Sequence, residues 1–231
     1  KFVLLKNKWS EIHSRWECCE NKCINTDNPV GNCINGKGFG NIINAENIKY
    51  MKRINGRNEI FLVYAENKFK NPQICFSYSL YYFEIKCKYE GNFNTDHQFD
   101  NVYDIVIGLR NRYYRKNSFY VTDAKIRRQR GEDCKLDQFS FNNTDIFGCG
   151  LVYPPNNKEN EEEEFPYVFF TQNGEQIGKG ISLNSDDDKY KPYIKVCCCS
   201  FEANFGNNLE INPFKYDTSK HLVLKEFDDF Y

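Results

Sequence analysis

The chain has 231 residues, of which 27% are charged and 40% hydrophobic, and its formal net charge is −1. That length suits one large domain with a core of its own. The near-neutral balance excludes a whole-molecule field that would draw nucleic acid or anionic lipid, and no apolar run approaches the about 20 residues that a membrane-spanning helix needs. The 20 Phe, 16 Tyr and 2 Trp favour the pleated, half-buried surfaces of β-sheets. Asn is the most abundant residue and favours turns over helices. The first residue is Lys and no signal-peptide pattern follows it, as would also hold for a mature chain.

Residues 1–46 hold both Trp, four Cys and many Gly and Asn, with no sustained period of 2 or 3.6. They are expected to form an irregular extension packed on the domain. From about residue 47 strand patterns dominate. Phe83, Ile85 and Cys87 alternate with Glu84, Lys86 and Lys88, the period of a half-buried strand. Ile105-Val106-Ile107 is apolar on both faces and ends at Gly108, as a central strand would. Phe147 to Val152 reads as another strand, with Gly148 and Gly150 lightening one face. Val168 to Gln172 runs into Asn173-Gly174, the sequence of a type I′ hairpin turn. Ile194, Val196 and Cys198 hold one phase and Phe201, Ala203 and Phe205 the other, so a bend is expected around Cys199-Ser200. Many short strands with no helix between them predict an all-β sandwich of two antiparallel sheets. Residues 218–231 read as a tail.

Eleven cysteines are an odd number, so at least one has no partner within the chain. Cys75, Cys87 and Cys149 read as small buried hydrophobes within strands, and Cys197-Cys198-Cys199 cannot all face one side of a strand. The pattern favours a reducing compartment. Asn142-Asn143-Thr144 matches the short glycosylation sequon.

The chemistry-bearing motifs are few. His13, His97 and His221 sit at no diagnostic spacing from a nucleophile or carboxylate, and read as surface or structural. Cys18, Cys19, Cys23 and Cys33 fall close enough for a zinc site but lack paired Cys-x-x-Cys knuckles, so reduced thiols or a local disulfide are the expectation, with no metal or cofactor. Gly36-Lys37-Gly38-Phe39-Gly40 lacks the strand and the Lys-Ser/Thr ending of a phosphate loop and reads as a turn. Residues 158–164 carry one base against five acids, the composition of a solvated loop.

Residues 110–130 are different. They hold eight basic side chains against the single acid Asp123, with aromatics interleaved. Arg and Tyr are enriched at binding hot spots, and Arg pairs with carboxylates through two parallel hydrogen bonds. The expected partner-binding residues are Arg110, Tyr113, Tyr114, Arg115, Phe119, Tyr120, Arg127 and Arg128, and the expected ligand is a partner protein or a short acidic peptide. The alternative is single-stranded nucleic acid, stacked on the same aromatics and held by the same arginines. The competing bland reading is a solvated loop neutralised by the Glu run or by Asp186-Asp187-Asp188.

Three ordered segments resemble the SPRY family. The first is Tyr81-Tyr82-Phe83-Glu84-Ile85 followed by Ile107-Gly108-Leu109. The second is Asp145 to Gly150 followed by Phe169 to Gly174. The third is Tyr190-Lys191-Pro192-Tyr193, then Glu202 to Gly206 and Pro213 to Asp217. The match spans residues 47–217 and is closest in flavour to the Ran-binding-protein-M-like branch. The chain is also similar to the Asn- and Lys-rich SPRY proteins of plant-parasitic nematodes, some of which are secreted effectors. The resemblance implies a bent sandwich without catalysis or cofactor. It implies binding of protein partners through loops at one end. The chain is expected to be a monomer, cytoplasmic or secreted and delivered to a host cytosol. Between Asn117 and Asp133 the chain leaves the family pattern, so a relative's ligand does not transfer.

Overall fold

Successive side chains of a strand point to opposite faces of its sheet, and Ser79–Tyr89 shows the rule at work. Phe83, Ile85 and Cys87 point into the core and are fully buried, while Lys86 and Lys88 are exposed. The computed structural model describes residues 1–31, 33–53, 57–73, 75–90, 103–111, 116–127, 133–155, 164–183, 189–224 and 227. Within them the chain is all β, in two antiparallel sheets, with two single 3₁₀ turns and no α-helix.

Strands are numbered in chain order. The first sheet runs β13 (Glu175–Ser182), β12 (Tyr167–Gln172), β11 (Ile146–Tyr153), β6 (Ser79–Tyr89), β15 (Cys199–Asn204), β3 (Asn47–Tyr50) and β2 (Gly40–Ile42). The second runs β1 (Trp9–Ile12), β4 (Phe61–Ala65), β14 (Lys189–Cys197), β7 (Asp104–Asn111), β8 (Lys116–Tyr120), β9 (Lys125–Arg127) and β10 (Asp133–Lys135), with β5 (Phe69–Lys70) also on β14.

The inner faces meet in an aromatic core. In the first sheet Phe83, Cys149 and Phe170 form one inward row. In the second Val63, Ile194, Ile107, Phe119 and Ile126 form another. Phe119 crosses the gap, with its ring centre 6.1 Å from Phe147 and 5.9 Å from Phe170. Trp9 packs edge-on against Phe83, Phe201 and Phe205 elsewhere in the same core. Burying each large apolar side chain contributes roughly 1.5–3 kcal/mol.

Pro192 lies inside β14, a central strand, where a missing N–H should break the ladder. On one side β14 pairs with β5 at 189–190 and with β4 at 193–196. Pro192 falls in the gap between them, so no hydrogen bond from it is required there.

Several expectations need correction. Residues 1–46 are not irregular throughout, because β1 forms an edge of the second sheet and β2 an edge of the first. Cys75 lies in no strand and is half-buried. The phase change falls one residue earlier than read, at Cys198, whose φ of 55° turns the chain from β14 into β15 and so from one sheet to the other. That turn explains how Cys197, Cys198 and Cys199 are all buried. The segment after 217 is not a free tail over its described part. Leu224 and Phe227, together with Phe214 and Tyr216 just before it, pack on the cluster of Leu80, Tyr82, Val152, Tyr167 and Phe169 on the outer face of the first sheet. Glu84 ties that cover down, accepting the backbone N–H groups of Lys215 at 2.8 Å and Tyr216 at 2.9 Å.

Candidate binding face

The outer face of the second sheet follows from the same alternation. Lys191 stands opposite Arg110, and Arg110 opposite Lys116, which sets three cations in one row across β14, β7 and β8. The next row is Tyr64, Tyr193, Gly108, Ser118 and Arg127. The third holds Leu62, Lys195, Val106, Tyr120 and Lys125.

The cations lie on the rings. The Arg110 guanidinium is 3.8 Å from the Tyr64 ring centre, and Lys116 Nζ is 4.8 Å from that of Tyr193. Lys125, Arg127 and Lys195 all lie over Tyr120, at 5.4, 4.7 and 5.4 Å. Such contacts contribute about 0.5–1 kcal/mol each at exposed sites and more when water is excluded. Gly108 makes the arrangement possible. A Cβ there would collide with the Asn117 carbonyl oxygen and stand 3.1 Å from the Tyr193 ring. Without it the Tyr193 phenol lies across the strand and hydrogen-bonds the Ser118 hydroxyl.

Charge is unevenly balanced over this face. Arg127 donates through Nε and Nη2 to the two carboxylate oxygens of Asp133 at 2.7 and 3.0 Å, a pairing that holds Asp133 down to about 2. Lys195 pairs with Asp104 at 2.6 Å, and Lys125 with Asp123 and Asp133. Lys191 pairs with Glu11 at 2.5 Å. Lys116 has no acidic partner among the described residues. Burial, then the charges of Arg110 and Lys195, lower its pKa. Burial and the charges of Lys116 and Arg110 likewise lower that of His13. Positive charge without an acidic partner among the described residues is therefore placed at Lys116.

Among solved structures, the chain is similar to a human SPRY domain at 17% identity, over 72% of this chain and 95% of that one, with a TM-score of 0.49. It is similar to a seed lectin of Lotus tetragonolobus at 9% identity, over 64% of this chain and 83% of that one, with a TM-score of 0.34. No protein-family model and no curated protein matches it. Neither likeness assigns a partner or an activity to this chain.

The candidate residues divide in three. Arg110, Tyr120 and Arg127 share the outer face, though the Arg127 fork is already filled by Asp133. Phe119 is corrected: it points inward, is fully buried and has no surface to offer a partner. Tyr113, Tyr114, Arg115 and Arg128 lie outside the described residues, as do most of the Glu run and Asp186 to Asp188. The described candidates sit on strands and not in end loops. Sequence reading missed Lys191 and Lys195, although Lys191, Tyr193 and Lys195 alternate with inward-facing Tyr190, Ile194 and Val196.

Two other clusters bear on chemistry. His221 is held between Tyr hydroxyls, with Nε2 2.8 Å from Tyr167 and Nδ1 2.7 Å from Tyr216, and it stacks on Phe169. Burial pushes its pKa down to about 4, which keeps the ring neutral. No nucleophile or carboxylate is among these partners. The sulfurs of Cys18, Cys19, Cys23 and Cys33 converge within 4.8 Å of one another. Burial pushes the Cys33 thiol up, but the backbone N–H groups of Cys19, Gly38 and Lys37 outweigh it and bring the pKa down to about 6.

Proposed function

We propose that the chain is a non-catalytic, SPRY-type interaction module that binds an acidic segment of a partner protein on the outer face of the second sheet. The observation that carries this is the cation row Lys191, Arg110 and Lys116, in which Lys116 has no acidic partner among the described residues and lies over the buried Tyr193 ring. Half-buried cations are costly to hold side by side, and carboxylates of a ligand would relieve them. The rigid sheet fixes their spacing, so little ordering cost attends binding. The SPRY-type reading is supported by where its motif segments fall: Tyr81–Ile85 on β6, Ile107–Leu109 on β7, Phe169–Gly174 on β12 and its turn, and Tyr190–Tyr193 on β14. Action as a monomeric effector in a host cytosol belongs to the same proposal and rests on compositional resemblance.

The acidic ligand is favoured over single-stranded nucleic acid. Stacking needs open ring faces, yet Tyr64 and Tyr193 are each 1% exposed and Tyr120 is covered by three cations.

Fluorescence anisotropy with a labelled Glu/Asp-rich peptide tests the reading. Saturable binding that Arg110→Glu abolishes, and that unlabelled peptide displaces better than oligonucleotide, supports it. No binding at low salt, or equal binding by the Arg110→Glu variant, overturns it.

A further inference from the structure

Between Trp16 and Gly40 the described residues contain no strand or helix. Loops longer than about 12–15 residues without structure of their own are uncommon in compact domains unless something ties them down. What gathers this one is a small cluster built mainly of sulfur: Cys23, Ile24 and Cys33 buried, with Cys18, Cys19 and Met51 packed on them. So few apolar atoms cannot offset the entropy of ordering such a segment.

The sulfurs have the arrangement of a coordination shell. Zinc binds thiolate at about 2.3 Å, so four sulfurs at the corners of a tetrahedron around it stand about 3.8 Å apart. Here Cys18 and Cys33 are 3.9 Å apart, Cys19 and Cys23 are 3.3 Å apart, and all four lie within 4.8 Å of one another. Each sulfur thus faces three others, where a disulfide would select one.

The backbone is shaped to the same end. Cys19 and Cys33 each open a tight turn: their carbonyls accept the N–H of Lys22 at 2.8 Å and of Gly36 at 2.9 Å. Lys22 and Gly36 take positive φ, 49° and 66°, to close them. Ile24 N–H donates to the Cys18 sulfur at 3.1 Å. Donors of this kind offset the negative charge of a metal thiolate centre and orient its ligands. Gly38 lets the chain close in on Cys18, since a Cβ there would stand 3.0 Å from Cys18 Cα. The Gly-Lys-Gly stretch that resembles a poor phosphate loop is thus the roof over the sulfurs.

We propose that Cys18, Cys19, Cys23 and Cys33 bind one zinc ion as four thiolates and that this centre folds the segment 18–38 onto the sandwich. Binding displaces the thiol protons to solvent, and no redox step is involved. The role is structural, because four protein ligands leave no open position for substrate.

The test is elemental analysis of the full chain, purified without a metal-affinity tag and under reducing conditions. One zinc per chain is expected, with loss of the metal in Cys18→Ser and Cys33→Ser and retention in Cys75→Ser, whose thiol lies outside the cluster. If the serine variants fail to fold, the native chain still decides. Titration with an organomercurial should release one zinc in step with four thiols, and cobalt substitution should give the intense visible bands of tetrahedral thiolate cobalt. Metal-free protein with all thiols titratable, iron in place of zinc, or an intact mass reduced by two hydrogens per bridge among these four cysteines, would each overturn the proposal.

Discussion

The Arg110 guanidinium lies over the Tyr64 ring, with its central carbon 3.8 Å from the ring centre. This contact joins β7 to β4 across the intervening β14, with Lys116 opposite Arg110 on β8. Lysine would keep the charge but lose the fork and the stacking. Arg110→Lys should weaken acidic-peptide binding about tenfold, near 1.4 kcal/mol. Lys116→Met should weaken binding while raising the melting temperature, because it removes a half-buried cation set among cations. Anisotropy and thermal denaturation measure the two effects. Binding untouched by both substitutions would locate the partner elsewhere.

Phe119 separates folding from binding. It lies in the stretch richest in Arg, yet it fills the space between the sheets against Phe139, Phe147 and Phe170. Phe119→Ala should cost about 3–5 kcal/mol of stability in urea denaturation. At temperatures where the variant remains folded, its peptide affinity should match that of the unaltered chain.

Glu84 is the buried clamp on the C-terminal cover. Burial raises its pKa despite the N–H groups of Lys215 and Tyr216 and the Tyr82 hydroxyl that it accepts. Glu84→Ala leaves two backbone donors without an acceptor, at about 1–3 kcal/mol for each that stays buried. Amide exchange at Lys215 and Tyr216 should accelerate well before that of β6. Unchanged exchange there would mean that apolar packing alone holds the cover.

His221 gives the fold a pH dependence of known sign. Its folded pKa of about 4 lies below the ordinary 6.5, so the unfolded chain binds the extra proton between those values. Stability therefore rises with pH in that window, and the contribution is lost as pH falls from about 6.5 toward 4. His221→Phe should flatten the difference in melting temperature between pH 7 and pH 5. Parallel curves for the two proteins would contradict this assignment.

Much of the sandwich was legible because burial writes period two into long strands. β6 shows it at Phe83, Ile85 and Cys87, and Asn173-Gly174 marks the β12–β13 hairpin by chemistry that only positive φ explains, here 50° and 91°. The strands β1 and β2, of four and three residues, are too short to carry a period, and tertiary pairing alone defines them. The binding face was half legible. A window on residues 110–130 contains Arg110, Lys116 and Tyr120, but Lys191 and Lys195 join them only through the β14–β7 pairing. The cysteine cluster was legible as composition and not as geometry, since the path from Cys18 to Cys33 includes a turn closed at Lys22 that no periodicity announces.

The central claim is that one face of one sheet receives an acidic partner. Amide chemical-shift mapping of the isotope-labelled chain, titrated with a Glu/Asp-rich peptide at low salt, tests it most directly. The account predicts saturable shifts along Arg110, Lys116, Ser118 and Lys191, fading as salt screens the face, with none at Lys86, Lys88 and Glu202 on the opposite sheet. Shifts centred on that opposite sheet, or none at saturating peptide, would contradict it.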